Sequence, residues 1–343
     1  MERHGWLRES DVTEALTYTM NIPNGLLASP LSNTMNASTL CDLCDGTDFL
    51  PLITKPMVTG HAREGLKRHG RNITTVLCRR CGLAFHHPPV TDADREAAGL
   101  SFSDLHINEP LITPRLIAKT ERRAQRQWDF IRPVVKPGME VLDVGCYIGA
   151  LAKRFQDAGA HVLGIEPDAT VAEFARQHYG LEVWDEMFES VELGDRQFDF
   201  IVISHVIEHV ISPAAVLRKL RAHLKQGGTI FLATPNLVRP KTGPWRLFSA
   251  AHNFYFTPKT LGWEMEKCGL RPTRVCEYLH EEFMMLGQAG EAREPRLDPL
   301  YASQVLRAIK SHRRNYRLQL MFVTRKIPVL QNWWYYRKRE YTW

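Results

Sequence analysis

The stretch VLDVGCYIGALAKRFQDAGAHVLGIEPD, residues 141–168, contains an apolar run, a turn with two glycines, a helical segment and a second apolar run that ends in an acid. Glycine at position 145 allows the backbone to turn sharply and to approach a ligand closely. A helix that starts after such a turn offers free N–H groups and a partial positive charge. Glu166 follows Gly145 by 21 residues, a spacing at which the acid after the second strand reaches the hydroxyls of a ribose. The stretch therefore predicts a strand–turn–helix–strand unit that binds a nucleotide-like cofactor.

The glycine pattern of the turn bears on the identity of that cofactor. A dinucleotide site has the pattern G-x-G-x-x-G, in which glycines let a pyrophosphate rest on the helix. Residues 145–149 read Gly-Cys-Tyr-Ile-Gly, so Tyr147 stands where the second glycine would be. A tyrosine ring would crowd a pyrophosphate more than a ligand that brings only an amino-acid end to the turn. The layout alone leaves both a dinucleotide and S-adenosylmethionine open, and the glycine pattern favours the second.

Apolar runs and helical segments alternate after residue 140. The strand-like runs cover residues 141–145, 161–166, 181–184, 198–204, 229–235, 272–278 and 318–324. Helical patterns cover residues 114–131, 149–158, 168–178, 213–224 and 258–268. Short apolar runs separated by helices predict a parallel sheet with helices on both faces. We expect residues 279–317 to form an insert between the last two strands.

Several segments together resemble the class I S-adenosylmethionine-dependent methyltransferases. The resemblance rests on VLDVGCYIGAL, GIEPD, FDFIVISHVIEHVISPAAVLRKLRAHLKQGGTIFLATPN and HNFYFTPKTLGWEMEKCGL, which occur in the family's order between roughly residues 115 and 327. It implies an α/β fold with a seven-stranded Rossmann-like sheet whose last strand is antiparallel, and residues 318–326 are the candidate for that strand. We expect the methyltransferase domain to span residues 113–327.

The resemblance also implies which residues hold the cofactor. The first turn would bind the methionine end, Glu166 the ribose, the segment after the third strand the adenine, and the residues after the fourth strand the other side of the cofactor. The residues implied in this way are Asp143, Gly145, Cys146, Tyr147, Gly149, Glu166, Pro167, Asp185, Glu186, Met187, Ser204 and His205.

Two cysteine pairs precede this region, Cys41 with Cys44 and Cys78 with Cys81. Each C-x-x-C pair can place two thiolates on one metal ion, and two pairs supply the four sulfur ligands of a closed, structural zinc site. In a reducing compartment such spacing favours a metal over disulfides, although free thiols and a redox pair remain alternatives. We expect a small zinc-binding domain over residues 37–112, in which the zinc stabilises the fold and takes no part in chemistry.

Histidines near the carboxyl edge of the predicted sheet are candidates for a catalytic base. A sulfonium methyl group needs an aligned nucleophile, and a hydroxyl or an enol carbon must also lose a proton. Histidine suits this task because its pKa is near neutral. The candidates are His205, His209 and His252. His252, in AHNFYFTP, is favoured, and His209, next to Glu208 in VIEHV, comes second. Histidines that only hold their loops by hydrogen bonds are the alternative for both.

Composition and charge limit what can be expected about membrane insertion, localisation and the two ends of the chain. The net charge is +6 with 44% hydrophobic residues, and no apolar run reaches the roughly 18 residues of a membrane span. The first residues lack the pattern of a secretory signal, so we expect a cytoplasmic protein. Residues 1–36 are predicted to be a polar extension, and residues 328–343 a basic aromatic tail that can contact phosphates or an anionic membrane surface.

The acceptor is expected to be a small molecule, with the hydroxyl of a sugar or natural product favoured. C-methylation of a nucleotide-sugar is an alternative, disfavoured because the resemblance would then imply a large C-terminal domain, and few residues follow residue 326. RNA methylation is another, disfavoured because the sequence shows no recognisable RNA-binding module. A non-catalytic scaffold with the same fold completes the alternatives.

Overall fold

A computed structural model of the chain describes residues 40–59, 67–91, 93–94, 112–240, 247–278, 282–324 and 338–342. The polar extension predicted over residues 1–36 lies outside the described residues. Within them, the strands form a four-stranded sheet near the N-terminus and an eight-stranded sheet in the rest of the chain.

The described elements are, in chain order, β1 Phe49–Thr59, β2 Lys67–Cys78, β3 Ala84–His86, α1 Pro114–Ile131, β4 Glu140–Val144, α2 Ala150–Asp157, β5 His161–Ile165, α3 Ala169–Tyr179, β6 Glu182–Trp184, β7 Phe198–Ser204, α4 Pro213–Ala222, β8 Leu224–Pro235, β9 Phe254–Tyr255, α5 Pro258–Lys267, β10 Leu270–Tyr278, β11 Glu282–Ala289, α6 Tyr301–Thr324 and β12 Lys338–Thr342.

The large sheet has the predicted doubly wound architecture. Its order is β12-β10-β11-β8-β7-β4-β5-β6, and the five strands from β8 to β6 in that order are parallel. β11 runs antiparallel to both β8 and β10. The central strands are buried on both faces, as the fully buried Leu142, Ile201 and Ile230 show. The expected seven-stranded sheet with an antiparallel last strand is thus confirmed, and β12 adds an eighth described strand at the edge of β10.

The position of the antiparallel strand was predicted wrongly. Residues 318–324 are the end of helix α6, and the strand between β8 and β10 is β11, which lies inside the predicted insert of residues 279–317. A short apolar run cannot be assigned to a strand or a helix by its periodicity alone. The run at 318–324 continues the helical segment before it, whereas Phe283, Met284 and Met285 are fully buried in the sheet.

The predicted helices are confirmed to within two residues at each end, because their first turns carry strong capping signals. α1, α4 and α5 each start at a proline that follows Thr113, Ser212 or Thr257. In each case the hydroxyl accepts a hydrogen bond from a backbone N–H of the first turn, and proline fits the first helical position because it has no N–H to satisfy.

The cysteine region is attached to the large domain by backbone pairing. β3 pairs antiparallel with β9, which follows β8 in the chain, so the small sheet includes a strand of the large domain. The rings of Phe85 and Phe254 stack across this pair with centroids 5.9 Å apart. Asp42, within the first cysteine pair, accepts hydrogen bonds from the Ala214 N–H at 2.7 Å and the Ser212 hydroxyl at 2.8 Å, at the start of α4.

The C-terminal part of the described chain is β12, which pairs antiparallel with residues 274–278 of β10. The rest of the predicted aromatic tail, residues 328–337 and 343, lies outside the described residues. None of the helices in the described part of the chain combines the length and the apolar character that a membrane span requires.

Candidate active site

A cavity of about 820 Å³ opens at the carboxyl ends of the parallel strands. Its volume falls within the usual range for small-molecule sites, and its place is the crevice where open α/β sheets bind ligands. The predicted site residues that line it are Asp143, Gly145, Cys146, Tyr147, Glu166, Pro167, Met187, Ser204, His205, Glu208, His209 and His252. Gly149, Asp185 and Glu186 are not among its lining residues.

The glycine turn after β4 is shaped by close packing. Gly145 has a φ of +68°, and a Cβ there would lie 2.2 Å from Cγ2 of Val206, in the loop after β7. Gly149 has a φ of +83°, and its Cβ would lie 2.5 Å from Leu181. Gly149 therefore serves the packing of α2 instead of lining the cavity. Both positions require glycine for steric reasons as well as for their backbone conformation.

Tyr147 adopts the left-handed backbone conformation in which glycine is more common, with a φ of +53°. Its ring packs against the apolar cluster that includes Ala124 and Leu151, on α1 and α2. Its backbone N–H donates a hydrogen bond of 3.0 Å to Oε2 of Glu166. The tyrosine thus forms one wall of the cavity while its backbone supports the acid at the end of β5.

Glu166 and Asp143 place two buried carboxyl groups at this end of the cavity. Oε1 of Glu166 accepts a 3.1 Å hydrogen bond from the Asp168 N–H, in addition to the bond from Tyr147. Burial raises the pKa of Glu166 to about 7, against the lowering effect of these two N–H groups. Burial, with a smaller contribution from Glu166, raises the pKa of Asp143 to about 8. A ligand that brings hydroxyl donors or a positive charge would stabilise the ionised forms.

Cys146 and Asp185, two of the residues predicted to hold the cofactor, contact other residues of the protein. A Cβ at Gly164 would lie 2.7 Å from the Cys146 sulfur, so the thiol packs closely against β5 in a cluster of small apolar residues. Oδ1 of Asp185 accepts a 2.6 Å hydrogen bond from Arg176. Met187 lines the cavity on this side, next to Phe188.

Basic residues of α1 form a rim that the sequence analysis missed. Lys119, Arg122, Arg123 and Arg126 all line the cavity. The available signal was their spacing, because residues three or four apart share one face of a helix. This cationic rim attracts anionic groups, such as the carboxylate of an amino-acid end or an anionic acceptor.

His205 lies between two buried carboxylates. Its Nε2 is 2.7 Å from Oε2 of Glu282, and its Nδ1 is 3.3 Å from Oε1 of Glu208. Gln127 donates a 3.0 Å hydrogen bond to the same Glu282 oxygen. Burial lowers the pKa of His205, but the hydrogen bonds that its ring donates to the two carboxylates outweigh burial, and the pKa is raised overall. Both ring nitrogens of His205 therefore face carboxylates, and these contacts favour its protonated form.

The sequence did not identify Glu282 as a site residue, because it lies at the start of β11, within the segment that we expected to be an insert. Burial raises the pKa of Glu282. The hydrogen bond that His205 donates and the neighbouring positive charges together outweigh burial and lower the pKa to about 2. The carboxylate stays ionised and holds the imidazolium in place.

Glu208, His209 and His252 form a second polar cluster at the cavity wall. The two imidazole rings meet edge to face with centroids 4.7 Å apart, and Nε2 of His209 lies 3.9 Å from Oε1 of Glu208. The buried Asn253 donates a 3.1 Å hydrogen bond to the His209 carbonyl, and the Phe254 N–H donates one of 3.0 Å to the Glu208 carbonyl. These bonds fix the loop of His252 beside the turn of His209. Burial lowers the pKa of His252, so its imidazole is neutral at pH 7.

The four cysteines of the N-terminal pairs converge on one point. The sulfurs of Cys41 and Cys81 are 3.6 Å apart, those of Cys44 and Cys78 are 3.5 Å apart, and all four lie within 4.8 Å of one another. Four sulfurs at about 2.3 Å from a central zinc would be about 3.8 Å apart in a regular tetrahedron. The residues therefore fit a four-thiolate zinc ion closely.

The cysteine domain also supports the loop that carries His252. The His86 ring lies with Nε2 2.9 Å from the Ser249 carbonyl, and Oδ1 of Asn253 accepts a 2.8 Å hydrogen bond from the Val90 N–H. Together with the β3–β9 pairing, these contacts hold both ends of the loop. The small domain is thus part of the scaffold of the cavity.

The chain is similar to several known proteins. Residues 116–275 match a family model described as a methyltransferase domain. A ubiquinone biosynthesis O-methyltransferase of Xanthomonas campestris pv. campestris (strain B100) is 32% identical over 170 residues, which cover 47% of this chain and 70% of the relative. The enzyme of the same name from Aeromonas salmonicida (strain A449) is 29% identical over 185 residues, covering 47% and 76%. A crystal structure of a Pyrococcus horikoshii OT3 protein covers 55% of this chain and all of its own, with 16% identity and a TM-score of 0.47.

Proposed function

This chain belongs to the S-adenosylmethionine-dependent methyltransferases, and on that premise we propose that it transfers the methyl group to a hydroxyl oxygen of a small molecule. The observation that carries the proposal is the single cavity that joins the Gly145–Glu166 end to the Glu208–His209–His252 cluster. One end has the features of a cofactor site, and the other has groups that can ionise a hydroxyl.

The cofactor is proposed to lie along the carboxyl ends of β4, β5 and β7. Its ribose hydroxyls would donate to the carboxylate of Glu166, and its ammonium group would lie near Asp143. The cationic rim of α1 would balance its carboxylate, and Met187 would border the adenine. Cys146 and Tyr147 support this arrangement through the backbone of the turn.

The reaction requires the acceptor oxygen to lose its proton and attack in line. The O–H bond breaks and its proton passes to the enzyme or to solvent; the oxygen then forms the O–CH₃ bond as the S–CH₃ bond breaks, leaving a neutral thioether. We assign the ionisation of the acceptor to the cluster of Glu208, His209 and His252, with the two histidines as candidate bases. His205 is not assigned that role, because both of its ring nitrogens are already paired with the carboxylates of Glu208 and Glu282.

The acceptor class is narrowed by the relatives. The relatives are named as O-methyltransferases of ubiquinone biosynthesis, so their names point to methyl transfer to oxygen on the way to a quinone. An aromatic hydroxyl is more acidic than a sugar hydroxyl, so it loses its proton with less help from a base. These two considerations favour an aromatic hydroxyl over the sugar or natural-product hydroxyl that the sequence suggested.

The cysteine cluster is proposed to hold a structural zinc ion. Four thiolates leave no open coordination position, so the ion would stabilise the small domain and through it the loop of His252. None of the chemical steps passes through this zinc.

A product assay tests the proposal. The purified chain is incubated with S-adenosylmethionine labelled in the methyl group and a panel of catechols, monophenols, sugars and nucleotide-sugars. Label transferred to a catechol or phenol oxygen, and lost in His252→Ala with unchanged cofactor affinity, supports it. Label on carbon, or transfer unaffected by His252→Ala and His209→Ala, contradicts the assignment.

A further inference from the structure

We propose that the cationic rim of α1, formed by Lys119, Arg122, Arg123 and Arg126, binds a phosphate group carried by the methyl acceptor. That the phosphate belongs to the acceptor rests on the proposed function, whereas the binding of phosphate by the rim does not. The rim would select a phosphorylated hydroxyl compound and hold it beside the cofactor.

The four rim residues lie on one side of α1 and line the cavity. They are spaced by three or four positions along the helix, so they share a face. Lys119 and Arg122 are exposed, whereas Arg123 and Arg126 are half-buried. The two arginines at 123 and 126 are thus placed to contact a ligand inside the cavity, and the two exposed cations are placed to attract it.

The contacts of α1 show which part of the cavity this face is directed toward. Glu121 lies on the side of the helix opposite to Arg123 and pairs with Arg154 of α2 at 2.8 Å. Gln127, one turn after Arg123, donates a 3.0 Å hydrogen bond to Glu282 at the start of β11. The rim is therefore turned away from α2 and toward the ends of β7 and β11.

Arg123 and Arg126 lie close to the pair of His205 and Glu282. Nη2 of Arg126 is 3.7 Å from Oε1 of Glu282. After the larger effects of burial and of His205, the charges of Arg123 and Arg126 act together to lower the pKa of Glu282, so both guanidinium groups are near it. His205 in turn contacts Glu208, which belongs to the cluster assigned to the acceptor. A group bound by the two arginines would lie next to the place proposed for the acceptor.

The rim carries more positive charge than its neighbours and the cofactor would balance. Lys119, Arg122 and Arg123 form no ion pair with a carboxylate of any described residue, and the acids of α1 itself are engaged elsewhere. Glu282 faces Arg126, and the carboxylate of the cofactor would take one further charge. About two positive charges are then left on the rim, and a phosphate monoester carries about −1.5 to −2 at pH 7.

A phosphate group suits the rim better than a second carboxylate does. Its three terminal oxygens can accept hydrogen bonds from two guanidinium groups and an ammonium group at once, and the planar fork of arginine matches phosphate in a bidentate manner. A carboxylate has two oxygens and a single charge. The half-buried position of Arg123 and Arg126 strengthens such charge-assisted hydrogen bonds relative to those at an open surface.

The test measures the binding of three probes by calorimetry to the full-length protein saturated with S-adenosylhomocysteine. The probes are 4-hydroxyphenyl phosphate, 4-hydroxybenzoate and hydroquinone, which share a phenol and differ in charge. We expect the phosphate to bind about ten-fold or more tightly than hydroquinone, with the carboxylate between them. Arg123→Gln and Arg126→Gln should each weaken phosphate binding about ten-fold, the effect of losing one hydrogen bond to a charged group, and leave hydroquinone binding unchanged. Arg115→Gln is the matched control, because it removes the same charge from an exposed position of α1 that does not line the cavity.

Several results would overturn the site. Equal affinity for the three probes, or a preference for phosphate that survives in both arginine variants, is one. A loss of S-adenosylhomocysteine affinity in those variants with an unchanged phosphate preference would assign the rim to the cofactor alone. Binding to phosphatidylglycerol vesicles without binding of the soluble phosphate would assign it to a lipid surface. Circular dichroism establishes that each variant is folded, and Arg123→Lys, which keeps the charge, should recover part of the phosphate affinity.

The outcomes also separate this inference from the proposed function. Selective phosphate binding without methyl transfer to any hydroxyl would refute the proposed function and leave the phosphate site in place. Methyl transfer to neutral hydroxyl compounds, with no preference for phosphate in binding, would do the reverse.

Discussion

Replacing Glu166 by glutamine should abolish a pH dependence that its buried carboxyl confers on cofactor binding. Both carboxyl oxygens accept backbone N–H bonds, from Tyr147 and Asp168, and burial raises the pKa to about 7. Ribose hydroxyls donate hydrogen bonds and so favour the ionised form. If the cofactor binds only that form, the competent fraction rises from about one tenth at pH 6 to about nine tenths at pH 8, which is about a tenfold gain in affinity.

The same carboxyl should make the cofactor-free protein less stable as the pH rises. Its pKa in the folded protein is above the ordinary 4.5, so the folded state binds the proton more tightly than the unfolded state. This contribution is fully present below about pH 4.5 and is lost as the pH rises through about 7, a change of about 3 kcal/mol in the free energy of unfolding.

The assay is calorimetry with S-adenosylhomocysteine, which has the same ribose and is stable, at pH 6, 7 and 8. Glu166→Gln should bind more weakly, because an amide offers one acceptor to two buried N–H groups, and should lose most of the tenfold pH dependence. Asp143→Asn isolates the second carboxyl, whose pKa is about 8, and Glu173→Gln on the surface of α3 is the control. An affinity that is constant or falls with rising pH, or a pH dependence unchanged in Glu166→Gln, would refute the reasoning.

Three further perturbations test other parts of the structure. Gly145→Ala should lose measurable cofactor binding and lower the melting temperature, because its Cβ would lie 2.2 Å from Val206 at a φ of +68°; normal binding in calorimetry would contradict the described turn. Cys78→Ser should lose the metal in mass spectrometry of the native protein and reduce methyl transfer more than cofactor affinity, since β3 and His86 hold the loop of His252; full turnover without metal would show that the small domain is dispensable. Glu282→Gln should lower the pKa of His205 in an NMR titration, because one of the two carboxylates that contact His205 loses its charge. An unchanged pKa would mean that Glu282 does not contribute to the raised pKa of His205.

The sequence was sufficient for the parallel half of the sheet, because its local signals are strong. Caps such as Thr113, Ser212 and Thr257 fix where helices begin, and continuous apolar runs mark strands buried on both faces. The antiparallel half was harder, since the apolar runs at 283–286 and 318–324 look alike and only sheet pairing distinguishes them. Glu282 lies at the start of that strand, so the sequence did not identify the carboxylate that contacts Nε2 of His205.

The link between the two domains depends on long-range contacts that no local pattern encodes. Residues 84–85 pair with residues 254–255, and Asp42 bonds to the start of α4. These contacts join segments about 170 residues apart, and they are the reason why the cysteine domain belongs to the cavity. The conformation of Tyr147 likewise follows from its N–H bond to Glu166, whereas the sequence showed only a missing glycine.

A crystal structure of the complex with S-adenosylhomocysteine tests the central claim most directly. We expect the ribose hydroxyls at hydrogen-bonding distance from the Glu166 carboxylate, the homocysteine end at the turn of Gly145, and the sulfur facing the cluster of Glu208, His209 and His252. A ligand bound elsewhere, or a ribose that does not contact Glu166, would contradict it.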